Sequence, residues 1–326
     1  MNETLFSIDV VDAVKVDYGE IVRLQRKSFE AVTGSEELNA TQVADYYQWK
    51  YEQPFGYAKV AQARDKDRNL LAMNSAFPLA LIQGNKTLLG WQACDSATHP
   101  SARGKGLFYK CILAISASLE NNEICFGYPN INAAPAYHKL GWKKIASQRL
   151  FAGILPCRSP RFAINRIERF ETGQDDLAMR IVPAGKAMIL RSAIYLNHRY
   201  FSPLRPLYTS FIHEDHTGCH GFIVVRPVTM RGFRFALIME CFATLPAVEK
   251  ELFLHVGSWC REHKCLFTLT LTTTSTVFGL LNRGLFPVPE KIMPRPLILM
   301  GNAKGSEAEA VINQPWACTG GDWDGF

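Results

Sequence analysis

His99-Pro100-Ser101-Ala102-Arg103-Gly104-Lys105-Gly106-Leu107-Phe108 stands between an apolar alternating run, Leu88–Thr98, and a helical pattern reaching about Glu120. A helix start leaves its first N–H groups without intrahelical partners, and its dipole end is positive. Gly104 and Gly106 let that backbone come close to a ligand, while Arg103 and Lys105 can add charge-assisted contacts to an anion. Alone, the stretch serves equally as a surface turn. It lacks the Gly-x-x-x-x-Gly-Lys-Ser/Thr spacing of a nucleoside triphosphate loop. It also follows a meander of strands, which is the wrong place for a dinucleotide fingerprint.

Working outward, the upstream chain reads as strand Leu5–Val11, helices Tyr18–Val32 and Ala40–Tyr51, and strands Tyr57–Arg64, Leu70–Ile82 and Leu88–Thr98. Turn residues at Asp65–Asn69 and Gln83–Lys86 make the three strands an antiparallel meander. Downstream come strand Glu123–Tyr128, a short helix ended by Gly141, and strand Lys144–Leu155. Residues 156–174 read as a linker with an amphipathic helix over Arg158–Arg169, because Phe162, Ile164, Ile167 and Phe170 are interleaved with arginines. A similar order then returns. Ala178–Val182 is strand-like and Ala184–Tyr200 helical; Leu207–His213, Gly221–Val228 and Phe233–Ala243 are strands. Helix Val248–His263, strand Leu266–Thr272, helix Ser275–Arg283 and strand Pro296–Met300 complete it. Two passes of one order suggest a duplicated α+β fold.

Charge singles out the first pass. The chain of 326 residues carries a net +6. Residues 1–100 balance at −3 and residues 171–326 at +1, whereas 101–170, which contains the glycine turn, balances at +8. A local positive field favours an anionic partner. With 48% hydrophobic and 20% charged residues, composition excludes a disordered tail, a fibrous repeat and a disulfide miniprotein. Nine cysteines without a Cys-x-x-Cys pair, no long apolar run and no basic leader point to a reduced, cytoplasmic protein without a membrane span.

The glycine turn gains meaning beside Asn130-x-x-Ala133-x-x-x-Tyr137-x-x-x-Gly141-Trp142. Together they resemble the GNAT superfamily of acyl-CoA-dependent N-acyltransferases, whose fourth strand is followed by Arg/Gln-x-x-Gly-x-Gly/Ala and whose fifth by an Asn-x-x-Ala-x-x-x-Tyr segment. In this chain Phe108 stands where the family has its last small residue. The resemblance covers residues 1–155 in motif and order, and 175–326 in order only. It implies tandem GNAT folds, with a catalytic domain 1–155, a linker helix 156–174 and a degenerate second domain 175–326. In that second domain the turn before the helix is Thr244-Leu245-Pro246-Ala247-Val248-Glu249, with no glycine.

The resemblance implies acetyl-CoA or another acyl-CoA as co-substrate. Arg103, Gly104, Lys105, Gly106, Leu107 and Phe108 would lie on its pyrophosphate. Gln92, Ala93, Cys94 and Ala97 would follow its pantetheine, with Asn130 and Ala133 near the cofactor arm. Tyr137 would be the general acid for the leaving thiolate, and Asp95 or His99 the base toward an amine acceptor. Trp49-Lys50-Tyr51 with Pro54-Phe55-Gly56 resembles GNAT proteins linked to cell-surface polysaccharide, which points to an amino sugar. A small amine or aminoacyl acceptor and a non-catalytic CoA-binding module are the alternatives, and the second domain would narrow the acceptor site or support a homodimer. The His213-Glu214-Asp215-His216 run with Cys219 and His220 lacks zinc-site spacing, so no metal is expected. No nucleic-acid module surrounds the basic segment, so no nucleic acid is expected either. The ending Gly320-Gly321-Asp322-Trp323-Asp324-Gly325-Phe326 is a frayed terminus or a segment folded back toward the active site.

Overall fold

The computed structural model describes residues 6–29, 40–204, 207–230, 232–273, 277–292 and 297–323. In chain order its first half contains β1 (Ser7–Asp12), α1 (Tyr18–Phe29), α2 (Ala40–Tyr51), a hairpin of β2 (Glu52–Gln53) and β3 (Gly56–Tyr57), β4 (Lys59–Arg64), β5 (Leu70–Gln83), β6 (Lys86–Thr98), α3 (Leu107–Ala117), β7 (Glu123–Gly127), α4 (Ala134–Lys139) and β8 (Lys143–Gly153). The second half contains β9 (Asn165–Ile167), α5 (Asp175–Arg180), β10 (Ala187–Ile189), α6 (Ala193–Tyr200), β11 (Thr209–Asp215), β12 (Gly218–Met230), β13 (Phe233–Ala243), α7 (Pro246–Glu262), β14 (Phe267–Thr272), α8 (Val277–Leu281), β15 (Leu285–Pro287), β16 (Leu297–Lys304) and α9 (Ser306–Ile312). The chain forms two compact units: residues 1–80, 88–144 and 299–313, and residues 81–87, 145–298 and 314–326.

In the first unit the strands follow the order β1-β4-β5-β6-β7-β16. β1 and β4 are antiparallel, as are β4 and β5, whereas β6 and β7 run parallel. All five residues of β7 are buried, as a parallel strand covered on both faces requires. α1 buries Ile21 and Leu24, and its ends suit the dipole, with Glu20 in the first turn and Arg26 and Lys27 in the last. Glu20 accepts two hydrogen bonds from Arg64 of β4, the shorter 2.6 Å. Met73, Ile112, Ile115, Ile124 and Phe126 are among the side chains that complete the core, and burying each contributes about 1.5–3 kcal/mol.

The second unit has the order β8-β14-β13-β12-β11-β9, with β15 also on β8. β13 and β14 are its parallel pair. α7 covers the sheet through Val248, Leu252 and Val256, against Ile223, Val225 and Ile238. Each unit therefore holds a parallel pair flanked by an antiparallel strand. The flanking strands are exchanged along the chain: β16 pairs with β7 in the first unit, and β8 with β14 in the second. Residues 299–313 return to the first unit, so the second is interrupted along the chain.

Three expected elements differ. Residues 156–171 hold no helix; Asn165–Ile167 is a strand, pairing Ile167 with Ser210 and Asn165 with Ile212. Pro156 crosses α7 so closely that a Cβ on Gly257 would sit 2.2 Å from its carbonyl oxygen, which fixes this segment as extended packing against α7. Ala178–Val182 belongs to helix α5 and its end, and Ala184–Tyr200 divides into β10 and α6. The proposed helix boundaries at Val32 and Ser275 lie outside the described residues. Among the described residues no helix is long and apolar enough to cross a membrane, and none of the cysteines there forms a disulfide.

The C-terminal segment folds within the second unit. Arg191 Nη2 donates to Asp322 Oδ1 at 2.6 Å and to Glu240 Oε2 at 3.2 Å. Thr319 Oγ1 donates to Glu240 Oε2 at 2.6 Å, and Tyr200 Oη to Glu240 Oε1 at 2.8 Å. Arg191, Glu240 and Asp322 are all buried. Asp324 and Phe326, also considered for the active site, lie outside the described residues.

Candidate functional site

The site grows from a fork in the first unit's sheet. β6 and β7 pair from Gly90↔Ile124 to Ala93↔Gly127. There β7 ends, while β6 runs on through Thr98. The strands approach closely at the branch point, where a Cβ on Gly127 would stand 2.9 Å from the Ala93 carbonyl oxygen. Gln92, Ala93, Cys94 and Ala97 all lie buried on β6 across this point. Asp95 has φ 48°, a left-handed conformation rare for a residue with a side chain. It breaks the regular course of β6 just beyond the last pair. Ser75 Oγ donates to the Cys94 carbonyl at 3.1 Å, and Gln25 Nε2 to the Asp95 carbonyl at 2.9 Å.

Beyond β6, Pro100–Ala102 makes a short 3-10 turn, and Arg103–Gly106 leads into α3. Gly104 and Gly106 have φ 76° and 72°, where a side chain is strained. No side chain caps α3 and no acidic residue stands in its first turn. Its leading N–H groups, near Leu107 and Phe108, and its positive dipole end therefore suit an anion. Lys105 is exposed beside them. One arm of Arg103 donates to the Ser28 carbonyl at 2.8 Å, tying the turn to the end of α1.

Tyr137, on α4, is buried between aromatic neighbours: Trp142 at 4.6 Å and Phe108 at 6.2 Å between ring centroids, both edge-on. Phe108, where the family has a small residue, thus helps hold the phenol ring. Ser96 of β6 and Asn74 of β5 both face the Tyr137 hydroxyl. Burial pushes this phenol well above its ordinary value of 10.0, and the polar Ser96 and Asn74 side chains pull it partly back. It stays protonated at neutral pH beside the stretch of β6 that has left β7.

Of the two carboxylate or imidazole bases considered, each is engaged. Lys50 Nζ lies 2.9 Å from both Asp95 carboxylate oxygens, in hydrogen-bond geometry with Oδ1. Both partners are largely buried, so Asp95 serves as the counter-ion of Lys50. His99 Nδ1 is 2.7 Å from Ser101 Oγ and caps the short turn. Asn130 Oδ1 accepts from the Asn132 and Ala133 N–H groups at 3.1 and 2.9 Å, shaping the entry to α4. Sequence reasoning named Lys50 only within the Trp49–Gly56 segment, not as the partner of Asp95, and missed Asn74 and Ser96. The available signal was the polar pair Asn74-Ser75 inside the otherwise apolar run Leu70–Ile82.

The Asp215–His220 cluster forms a hairpin turn in the second unit. Asp215 Oδ1 accepts from Thr217 Oγ1 at 2.6 Å and lies 2.9 Å from His220 Nε2. Among the described residues no group of side chains is arranged to hold a metal ion.

No protein-family model and no curated protein matches the sequence. Solved structures do. A GCN5-related N-acetyltransferase from Anabaena variabilis superposes with TM-score 0.67 at 10% identity, covering 90% of this chain and 72% of that one. One from Kribbella flavida gives 0.63 at 13% identity, covering 95% and 74%. Saccharomyces cerevisiae N-myristoyltransferase with bound myristoyl-CoA gives 0.58 at 11% identity, covering 93% and 84%. The chain has the α+β fold of the GCN5-related N-acetyltransferases.

Proposed function

We propose that this chain is an acyl-CoA-dependent N-acyltransferase whose first unit carries the reaction. The observation that carries this reading is the joint presence of a forked parallel pair, an uncapped helix start with two left-handed glycines, and a buried phenol at the fork. Acyl-CoA is the donor substrate. Its pyrophosphate fits the turn Arg103–Phe108, and its pantetheine the run Gln92–Ala97. Tyr137 is the acid for the departing thiolate. A thiolate is a tolerable leaving group, so positioning and modest proton donation supply much of the rate. The acetyl group is the first acyl group to test.

We assign the second unit as a degenerate copy of the same fold, without a CoA site. Its helix start bears Pro246 and Glu249; the first lacks a donor, and the second repels phosphate. The acceptor we infer is an amino sugar of cell-surface polysaccharide synthesis, on the strength of the Trp49–Gly56 segment at the end of α2 and the β2–β3 hairpin. The test is release of free thiol from acetyl-CoA across a panel of amines: nucleotide-linked amino sugars, aminoacyl compounds and small polyamines. Amine-dependent release, greatest with amino sugars, is expected. Release with the aminoacyl or polyamine members alone removes the amino-sugar assignment. CoA binding with no release under any amine and acyl donor removes the catalytic one.

A further inference from the structure

Asn74 is 1% exposed, and its Oδ1 is buried with no hydrogen-bond partner. Leaving such an acceptor dry costs about 1–3 kcal/mol. The other end of the same amide is fully used: Nδ2 donates to Ser96 Oγ at 2.6 Å. Asn74 and Ser96 also both meet the Tyr137 hydroxyl. A side chain kept at the core of β5, with one end unsatisfied, is explained by what its other end directs.

The directions follow from donor and acceptor chemistry. An amide nitrogen only donates, so Asn74 Nδ2 occupies a lone pair of Ser96 Oγ. The Ser96 proton is then free to point at Tyr137 Oη. A phenol oxygen that receives this bond keeps its own proton for a third partner. We propose that Asn74 and Ser96 are positioning residues, a relay that aims the Tyr137 proton out of the triad and stabilises the phenolate that follows its loss.

This inference rests on Tyr137 acting as the acid. In the transfer, the amine nitrogen bonds to the acyl carbon and the C–S bond breaks. Sulfur takes the Tyr137 proton, the nitrogen sheds its extra proton to water, and solvent reprotonates the phenolate. Ser96 and Asn74 change no covalent bond; their donors meet the charge while Tyr137 holds it. The ionisable groups facing Tyr137 are the Cys125 thiol of β7 and the Cys94 thiol of β6.

The experiment compares kcat and the dissociation constant for desulfo-CoA in Ser96→Ala, Ser96→Thr, Asn74→Asp, Tyr137→Phe and the double variant Ser96→Ala/Tyr137→Phe. A positioned acid typically contributes 10²–10⁴-fold. Tyr137→Phe should lower kcat about 100-fold or more, and Ser96→Ala and Asn74→Asp about 10-fold each. Desulfo-CoA binding should stay within about twofold in all of them, and Ser96→Thr, which keeps the hydroxyl, should retain activity. Adding Ser96→Ala to Tyr137→Phe should cost nothing further, since there is no proton left to aim. If Ser96→Ala multiplies the Tyr137→Phe loss, or Asn74→Asp turns over normally, the relay is overturned. If Tyr137→Phe itself turns over normally, the acid assignment fails instead.

Discussion

The two parallel pairs, β6/β7 and β13/β14, fork in the same way and are filled differently. β13 and β14 pair from Phe235↔Phe267 to Ile238↔Thr270, after which β13 continues to Ala243. Where the first fork is followed by Gly104 and Gly106, the second is followed by Pro246 and a Glu249 carboxylate that Arg283 holds at 2.9 Å. The chain's own C-terminal segment enters the second fork. Thr319 bridges to Thr272 at the end of β14, Gly320 lies against the Ile238 and Met239 backbone, and a Cβ on Gly321 would stand 2.0 Å from Glu240 Oε1. The Arg191–Glu240–Asp322 network pins that segment in place. A fork is therefore a property of the scaffold. On the proposed function, whether it receives a pantetheine arm depends on which side chains line it and whether the chain itself fills it.

This contrast can be broken first at its most tightly held point. Asp322→Ala leaves the Arg191 and Glu240 charges with one partner fewer in a dry site. Disrupting a buried ion pair costs about 3–5 kcal/mol. Chemical denaturation should register a loss of that order in the second unit, with acetyl-CoA turnover per folded molecule unchanged. A turnover loss without destabilisation would place the tail in the reaction.

At the first fork, Gly104→Val or Gly106→Val forces a β-branched residue into a left-handed backbone, costing roughly 1–2 kcal/mol of strain. It also crowds the approach of a phosphate. KM for acetyl-CoA should rise about tenfold or more, with kcat little changed. A kcat loss at constant KM would detach the turn from substrate binding.

Lys105→Ala should have a smaller effect, a severalfold rise in KM that shrinks as salt is added, because the lysine is exposed and its charge is screened. Glu240→Gln tests the second fork more gently. Burial, and then the neighbouring Asp322 carboxylate, raise the Glu240 pKa above 4.5, against the pull of Arg191. A raised folded-state value means that its contribution to stability is complete below about 4.5 and is lost as pH rises through the folded value. The neutral glutamine should flatten the fall of Tm as pH rises above about 4.5, and an unchanged slope would show that Glu240 does not contribute to it.

Much of the first unit was legible in the sequence because its signals are local. Alternation marks β4, β5 and β6, and a paired-glycine turn followed by apolar helix spacing marks α3. The second unit's signals mislead where tertiary packing overrides local pattern. Phe162, Ile164 and Ile167 with their arginines fit a helical stripe almost as well as a strand, and pairing with β11 decides the matter. The exchange of β8 and β16 leaves no local trace, since each pairs with a strand far away along the chain. Asp95 and His99 were legible as residues near the end of β6, but their partners, Lys50 from α2 and Ser101 in the turn, depend on geometry. Asn74 and Ser96 lie 22 positions apart; neither spacing nor residue type announces a pair across neighbouring strands.

The central claim is that one fork of two receives acyl-CoA, and calorimetric titration of CoA into the intact chain tests it most directly. One site per chain is predicted, weakened about tenfold or more by Gly106→Val and unaffected by Glu249→Gln. Two sites per chain, or a single site that responds to Glu249→Gln and ignores Gly106→Val, would contradict it.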